Sequence, residues 1–186
     1  MPKVVLISGK AQSGKDTFAS LFKRYAEPYK ELEDKRVLII KYADILKFVC
    51  SRYFNWDGEK DLKGRTLLQK VGTDIVRRNN PDTWVNCVIE VVKGIGNLYD
   101  YILIPDTRFP NEISKWMGSG IDYITVRIER LNRDNTPYLN NLSEEQRSHI
   151  SEVALDDYVF DYTIYNRNLI DLNRDVVEIY NELEKM

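Results

Sequence analysis

The chain has 186 residues, 43% hydrophobic and 30% charged, with 27 Lys and Arg against 29 Asp and Glu and a formal charge of −2. That length suits one domain with a sizeable core, no apolar run approaches the roughly 18 residues of a membrane span, and the charge balance offers no global basic field for tracking a nucleic-acid backbone. The expectation is a cytoplasmic protein with neither membrane nor nucleic-acid partners, in which Cys50 and Cys87, in no metal or redox spacing, are buried small residues and not a disulfide.

Residues 3–8 form a short, β-branched, nearly continuous apolar run, the pattern of a parallel strand covered on both faces. The run Val4 to Ile7 is too short for the central region of a secretory signal. It leads into Gly9-Lys10-Ala11-Gln12-Ser13-Gly14-Lys15-Asp16-Thr17, and helical spacing follows at once over residues 17–29. Strand, glycine-rich loop and helix in that order make a phosphate-binding loop. Gly9 and Gly14 let the backbone turn tightly, and the amides of the loop, those of Lys10, Ala11 and Ser13 among them, form a nest. The new helix adds its positive end, and Lys15 reaches the β- and γ-phosphates. Asp16 stands where Ser or Thr ordinarily ligates magnesium, with Thr17 displaced by one position. A carboxylate beside phosphates repels them unless magnesium or water intervenes. Asp16 is therefore a candidate magnesium neighbour; the plainer use is a favourable charge at a helix start, worth under ~1 kcal/mol.

Residues 37–42 read as a second strand and 45–53 as a helix with Asp44 at its N-cap. Helical spacing returns over 67–78 and 83–95, and 99–104 form a third strand. Asp106 and Arg108 follow it, where the crevice of a parallel sheet receives ligands. An acid there can hold magnesium through water or orient an acceptor, and Arg108 can neutralise charge on a transferring phosphoryl group. A structural Asp–Arg pair in a turn is the alternative. A helix over 111–117, strands over 121–128 and 158–165, the latter interrupted in its alternation by Asp161, and a helix over 168–186 complete the pattern. Between the last two strands, residues 131–148 are polar and aperiodic, with Arg133, Asp134, Asn135, Pro137, Asn140, Asn141 and Arg147. They read as a mobile lid, taken as about residues 130–150, in preference to a disordered loop. Alternating strands and helices predict one α/β domain, a three-layer sandwich around a mainly parallel five-stranded sheet of the P-loop NTPase, nucleoside monophosphate kinase-like class.

The segments Ser8-Gly9 to Gly14-Lys15-Asp16-Thr17, Ala43-Asp44 with Leu46-Lys47, Leu68-Gln69 with Gly72-Thr73-Asp74, and Trp84-Val85 come first in order. Pro105-Asp106-Thr107-Arg108, His149-Ile150-Ser151-Glu152, and Asp161 before Ile164 and Asn166 follow. In this joint order the chain resembles, over nearly its whole length, the phage-type deoxynucleoside monophosphate kinase family. The resemblance implies transfer of the γ-phosphoryl of ATP, with magnesium (Mg2+), to a (deoxy)nucleoside monophosphate. It implies catalytic parts for Lys15, Asp106, Arg108 and Arg130, and a nucleotide site from Gly9, Lys10, Ala11, Ser13, Gly14, Lys15, Asp16, Thr17 and Arg127. Asp16 and Asp106 would attend the metal, and Arg127, Arg130 and Arg133 would clamp the ATP side from the lid. Asp44, Lys47, Arg65, Gln69, Arg77, Arg108 and Glu152 would face the acceptor, within a helical region of about residues 44–96. His149, the single histidine, reads most simply as a satisfied residue, while the resemblance gives it a substrate-side or lid-hinge role; Ser151 and Glu152 are candidates for capping the next helical turn. Two rivals stand beside this reading: a phosphomevalonate kinase-like enzyme, with a similar Gly-Lys-Asp loop ending, and a nucleotide-binding switch, against which the lack of an Asn-Lys-x-Asp motif speaks. Base and sugar preference stay open, and a homodimer is admitted.

Overall fold

The computed structural model describes residues 1–28, 35–59, 61–139 and 143–185. In β1 (Lys3–Ser8), Val4, Val5, Leu6 and Ile7 have no exposed surface. Successive side chains of a strand point to opposite faces, so this run feeds two cores. Val5 and Ile7 join Phe18, Phe22, Leu103, Val126 and Val176, whereas Val4 and Leu6 join Val88, Ile102, Ile104 and Trp116. Helices α1 (Lys15–Ala26) and α8 (Leu169–Leu183) supply the first layer. Helices α2 (Tyr42–Tyr53), α4 (Thr83–Ile95) and α5 (Asn111–Met117) supply the second.

The sheet also contains β2 (Val37–Ile39), β3 (Tyr101–Thr107), β4 (Tyr123–Arg130) and β5 (Tyr162–Asn166). All pairings are parallel, in the order β2-β3-β1-β4-β5. This is the α/β sandwich with a five-stranded parallel sheet that the sequence predicts. β1 lies between β3 and β4, so the loops leaving the carboxyl ends of these three strands meet over the centre of the sheet, where such folds bind ligands.

Several boundaries differ from the sequence expectation, each through a tertiary contact. The second strand stops at Ile39 and α2 starts at Tyr42, because the two carboxylate oxygens of Asp106 accept the N–H groups of Tyr42 and Ala43, each at 3.0 Å. Asp44 is accordingly not the N-cap: it lies inside the first turn and reaches back to the Lys41 N–H at 3.0 Å. β3 runs to Thr107 because its pairing with β1 extends, past an irregularity, to Ser8 and Thr107. β4 runs to Arg130 because β5 pairs with it as far as Asn166. Arg127 and Arg130, expected on the lid, are thus strand residues. β5 begins only at Tyr162, since the Asp161 carboxylate accepts the N–H and hydroxyl of Thr125 at 2.8 and 2.7 Å.

The helix expected over 67–78 is α3 (Leu62–Gln69) running into a π-helical segment, Lys70–Arg77. Gly72 packs there against α2, where a Cβ would lie 2.6 Å from Leu46 Cδ2, and the Gly72 carbonyl accepts the Trp84 indole N–H at 3.1 Å. Wide turns of this kind concentrate at functional sites. In the polar stretch Leu131 bridges Pro137, and α6 (Glu144–Arg147) and α7 (Ile150–Val153) are short helices. Asn140 and Asn141 of the expected lid, and the expected helix ends Tyr29 and Met186, lie outside the described residues. Among the described residues no helix is long and apolar enough to cross a membrane.

Ile102 has no exposed surface and stands in the core layer away from the loop ends. Truncation to Ala removes its contacts and leaves a cavity, for an expected loss of about 2–5 kcal/mol in urea unfolding. A loss near zero is incompatible with this packing.

Candidate active site

The loop between β1 and α1 is shaped by its glycines. Gly9, Gln12 and Gly14 have φ of 150°, 64° and 105°. A Cβ on Gly9 would lie 2.4 Å from the Ile128 carbonyl oxygen, and one on Gly14 would lie 2.5 Å from Asn166 Nδ2. The loop's carbonyls find donors around it. Lys15 Nζ donates to Gly9 O and Lys10 O at 2.6 and 2.7 Å, Arg130 to Gln12 O at 3.0 Å, and Asn166 to Ser13 O at 2.8 Å. With these four carbonyls engaged, the loop presents donors, the Ala11 N–H to Glu152 among them. Ser13 Oγ is buried without a hydrogen-bond partner, an arrangement that ordinarily costs about 1–3 kcal/mol and suits a site built to meet an anion's oxygen.

Lys15 is only 7% exposed. Burial, then the nearby Arg108 and Arg127 charges, bring its ammonium down to about 8, against the opposing pull of Glu152 and Asp16. Asp16, at the start of α1, pairs with Lys41 at 2.5 Å. Burial lowers the Lys41 ammonium, but its hydrogen bond to Asp16 and the charges of Asp16, Asp106 and Asp44 together raise it.

Two cavities adjoin the loop, and a third lies on the β3 side of the site. One of about 380 Å³ is bounded by Gln12 to Thr17, Arg130, Asn166 to Leu169, and Leu172. A second, about 370 Å³, lies beside Lys10, Ala11, Ser13, Arg127 and Arg130 and under Tyr138, whose ring the Arg130 guanidinium covers at 3.9 Å. The third, about 140 Å³, lies between α2, the π-helical segment and the end of β3, lined by Ala43, Gly72, Thr73, Arg77, Asp106, Arg108 and Phe109 among others.

No protein-family model matches the chain, and no curated protein sequence matches it. Solved structures do. Dephospho-CoA kinase from Campylobacter jejuni aligns with 97% of this chain and 97% of its own, at a TM-score of 0.55 and 13% identity. The APS kinase of Mycobacterium tuberculosis in complex with AMPPNP and APS aligns over 98% of both chains, at 0.53 and 12%. Shikimate kinase from Acinetobacter baumannii in complex with shikimate covers 100% of this chain and 94% of its own, at 0.50 and 14%. The chain has the fold of the P-loop kinases. At these identities the likeness is one of fold, broader than the deoxynucleoside monophosphate kinase family that the motifs resemble.

On this P-loop kinase frame, the predicted residues divide. Lys15, Asp16, Thr17, Arg127, Arg130 and Glu152 come together around the loop, and Arg77, Asp106 and Arg108 line the smallest cavity. Asp44 and Lys47 pair with each other at 3.1 Å, and Arg65 and Gln69 are exposed on α3; none of these four lines that cavity. Arg133 is exposed next to the Leu131–Pro137 bridge. Burial pushes the Asp106 carboxyl up to about 6, against the two amide hydrogen bonds that favour its charged form. His149 is itself the N-cap of α7, its Nδ1 accepting the Ser151 N–H at 3.3 Å.

Two carboxylates were missed by sequence reasoning. Glu112, 1% exposed, pairs with Arg77 and accepts the N–H groups of Arg108 and Phe109 at 2.7 and 3.1 Å. It thereby sets the turn that carries Arg108 and holds Arg77 over the Phe109 ring at 4.3 Å. Its signal was an acid four residues after Arg108, in the first turn of a helix whose Ile113 and Trp116 face the core. Asp156 pairs with Lys10 at 3.1 Å and Arg127 at 2.7 Å, and no local pattern marks it.

The lowered Lys15 value has a thermodynamic consequence. Its unfolded value is 10.5 and its folded value about 8, so between these the unfolded chain binds more protons and stability rises with pH. The cost of holding the ammonium is fully present below about 8 and relieved toward 10.5. Lys15→Met should therefore be more stable than the parent at about pH 7, by on the order of 1–3 kcal/mol after loss of its hydrogen bonds, with the gap narrowing at about pH 9.5. Urea unfolding at the two pH values checks this; a variant less stable than the parent at neutral pH contradicts it.

Proposed function

We propose that the protein transfers the γ-phosphoryl group of ATP to a small phosphorylated acceptor, a (deoxy)nucleoside monophosphate in the first instance. The observation that carries the reading is the placement of Arg108. It lines the small cavity and, through Glu152, reaches Ala11 of the phosphate loop. A guanidinium between two such compartments suits a phosphoryl group passing from one to the other.

In this reading the nucleotide's phosphates lie along the loop amides and Ser13, with the nucleoside in the cavity beside Arg130 and Asn166. Lys15 holds the β- and γ-oxygens. An acceptor phosphate oxygen attacks the γ-phosphorus in line, a new P–O bond forms, the bond to the β–γ bridging oxygen breaks, and ADP leaves. Arg108, Arg127 and Arg130 stabilise the charge spread over the transferring group. Magnesium, which takes one or two carboxylates alongside substrate phosphates, would be held from Asp16 and Thr17 and would supply charge neutralisation. Asp106 acts mainly by fixing the start of α2 at the acceptor's edge, since its oxygens already accept the Tyr42 and Ala43 amides. Among the described residues no trio of His, Cys, Asp or Glu is gathered for a metal, so phosphate oxygens would complete its coordination.

The small cavity, about 140 Å³, favours a second reading in which the acceptor is a compact non-nucleotide phosphate. An acceptor panel of nucleoside monophosphates and non-nucleotide phosphates, followed by ADP production, separates the two; turnover confined to the non-nucleotide arm refutes the first. Lys15→Met should lower turnover by about a hundredfold or more through loss of a preorganised charge. Arg108→Ala should depress turnover more than ATP affinity; a defect in ATP affinity alone moves Arg108 away from the transferring group.

A further inference from the structure

Helix α7 and the turn that follows it lay two carboxylates against the donors of the phosphate loop. Glu152, its side chain 8% exposed, accepts the Ala11 N–H through Oε2 at 2.7 Å and pairs with Arg108 through Oε1. Arg108 also donates to the Ser151 carbonyl at 3.2 Å. Four residues on, Asp156 holds Lys10 and Arg127 at 3.1 and 2.7 Å. One loop amide, two arginines and a lysine are a donor set of the kind a phosphate chain requires, and a carboxylate bridging an amide and a guanidinium uses them as a phosphate does.

We propose that the Glu152–Asp156 turn is an internal anion that competes with the terminal phosphate of a nucleotide, so that Glu152 sets how far the site discriminates between triphosphate and diphosphate. The inference rests on the nucleotide-binding reading above. Glu152 engages the first half of the loop and Arg108, the side assigned to the transferring group, whereas the second half, Gly14 to Thr17, opens on the other cavity. A diphosphate seated against the start of α1 leaves Glu152 in place; a triphosphate displaces it. The turn does not depend on this contact for its shape. His149 caps α7 at one end and Leu155, 3% exposed, anchors the other in the core. The Glu152 side chain is therefore free to leave without unfolding the segment.

Glu152→Gln keeps the shape and an acceptor oxygen but removes the charge. Titration calorimetry with ATP and with ADP, each with magnesium, should show ATP binding tightened by about tenfold and ADP changed by less than about twofold. Asp157→Asn, on the same exposed turn, removes the same formal charge away from the loop and should leave both affinities unchanged. Unchanged or weakened ATP binding in Glu152→Gln overturns the proposal, as does an equal gain in Asp157→Asn or an equal gain for ADP. Glu152→Ala serves as a second removal of the charge, with thermal unfolding reporting its folding. Failure of the parent protein and of every variant to bind either nucleotide overturns the functional reading itself, and this proposal with it.

Discussion

A loop that is to receive an anion carries as many carbonyl oxygens as amides, and the oxygens must be engaged elsewhere before the amides can serve. Here Lys15, Arg130 and Asn166 take the carbonyls of Gly9, Lys10, Gln12 and Ser13. Arg130 ends β4 and Asn166 ends β5, and the two are partners in the sheet. The donor character of the loop therefore depends on the strand order: without β4 beside β1 and β5 beside β4, two of these four carbonyls would lose their donors. Close approach is part of the same arrangement, since the Gly9 and Gly14 backbones lie where any side chain would meet Ile128 or Asn166.

On the opposite side of β1, buried carboxylates do the corresponding work. Asp106 and Glu112 each accept two backbone N–H groups, one from the start of α2 and the other from the turn after β3. Burial raises both carboxyls above the usual range, and the hydrogen bonds to their charged forms oppose it. Tyr42 links the two groups: its N–H goes to Asp106, its hydroxyl donates to the Glu112 carbonyl and accepts the Trp116 indole N–H at 2.9 Å. The wall of the small cavity is thus a hydrogen-bonded unit and not a set of independent side chains, and Arg77 and Arg108 inherit their positions from it.

The cations around the loop are balanced in the same way. Lys10, Arg108 and Arg127 have carboxylate partners in Asp156 and Glu152, and Lys41 has Asp16. Lys15 Nζ, by contrast, donates to carbonyl oxygens, with burial and the Arg108 and Arg127 charges lowering its ammonium against the pull of Glu152 and Asp16. A buried ammonium with only neutral acceptors weakens the fold, a cost that functional sites commonly carry.

The sequence alone determined the glycine-rich loop between strand and helix, the layered α/β arrangement and a mainly parallel five-stranded sheet. These follow from local information: glycines at fixed offsets, β-branched runs covered on both faces, and helical spacing between them. The position of Asp106 and Arg108 at the crevice was legible for the same reason, since they lie at and just beyond the end of a buried strand. Strand and helix ends were not legible, because pairing partners decide them. Arg127 and Arg130 belong to β4 because β5 continues alongside, and α2 begins at Tyr42 because an aspartate 64 residues away caps it. The π-helical turn answers to Leu46 and Trp84, neither of which is its neighbour in the chain. Glu112 and Asp156 became site residues only when folding set them against Arg77, Arg108, Lys10 and Arg127, since a carboxylate's role depends on the charges it meets in space, and sequence spacing does not encode those.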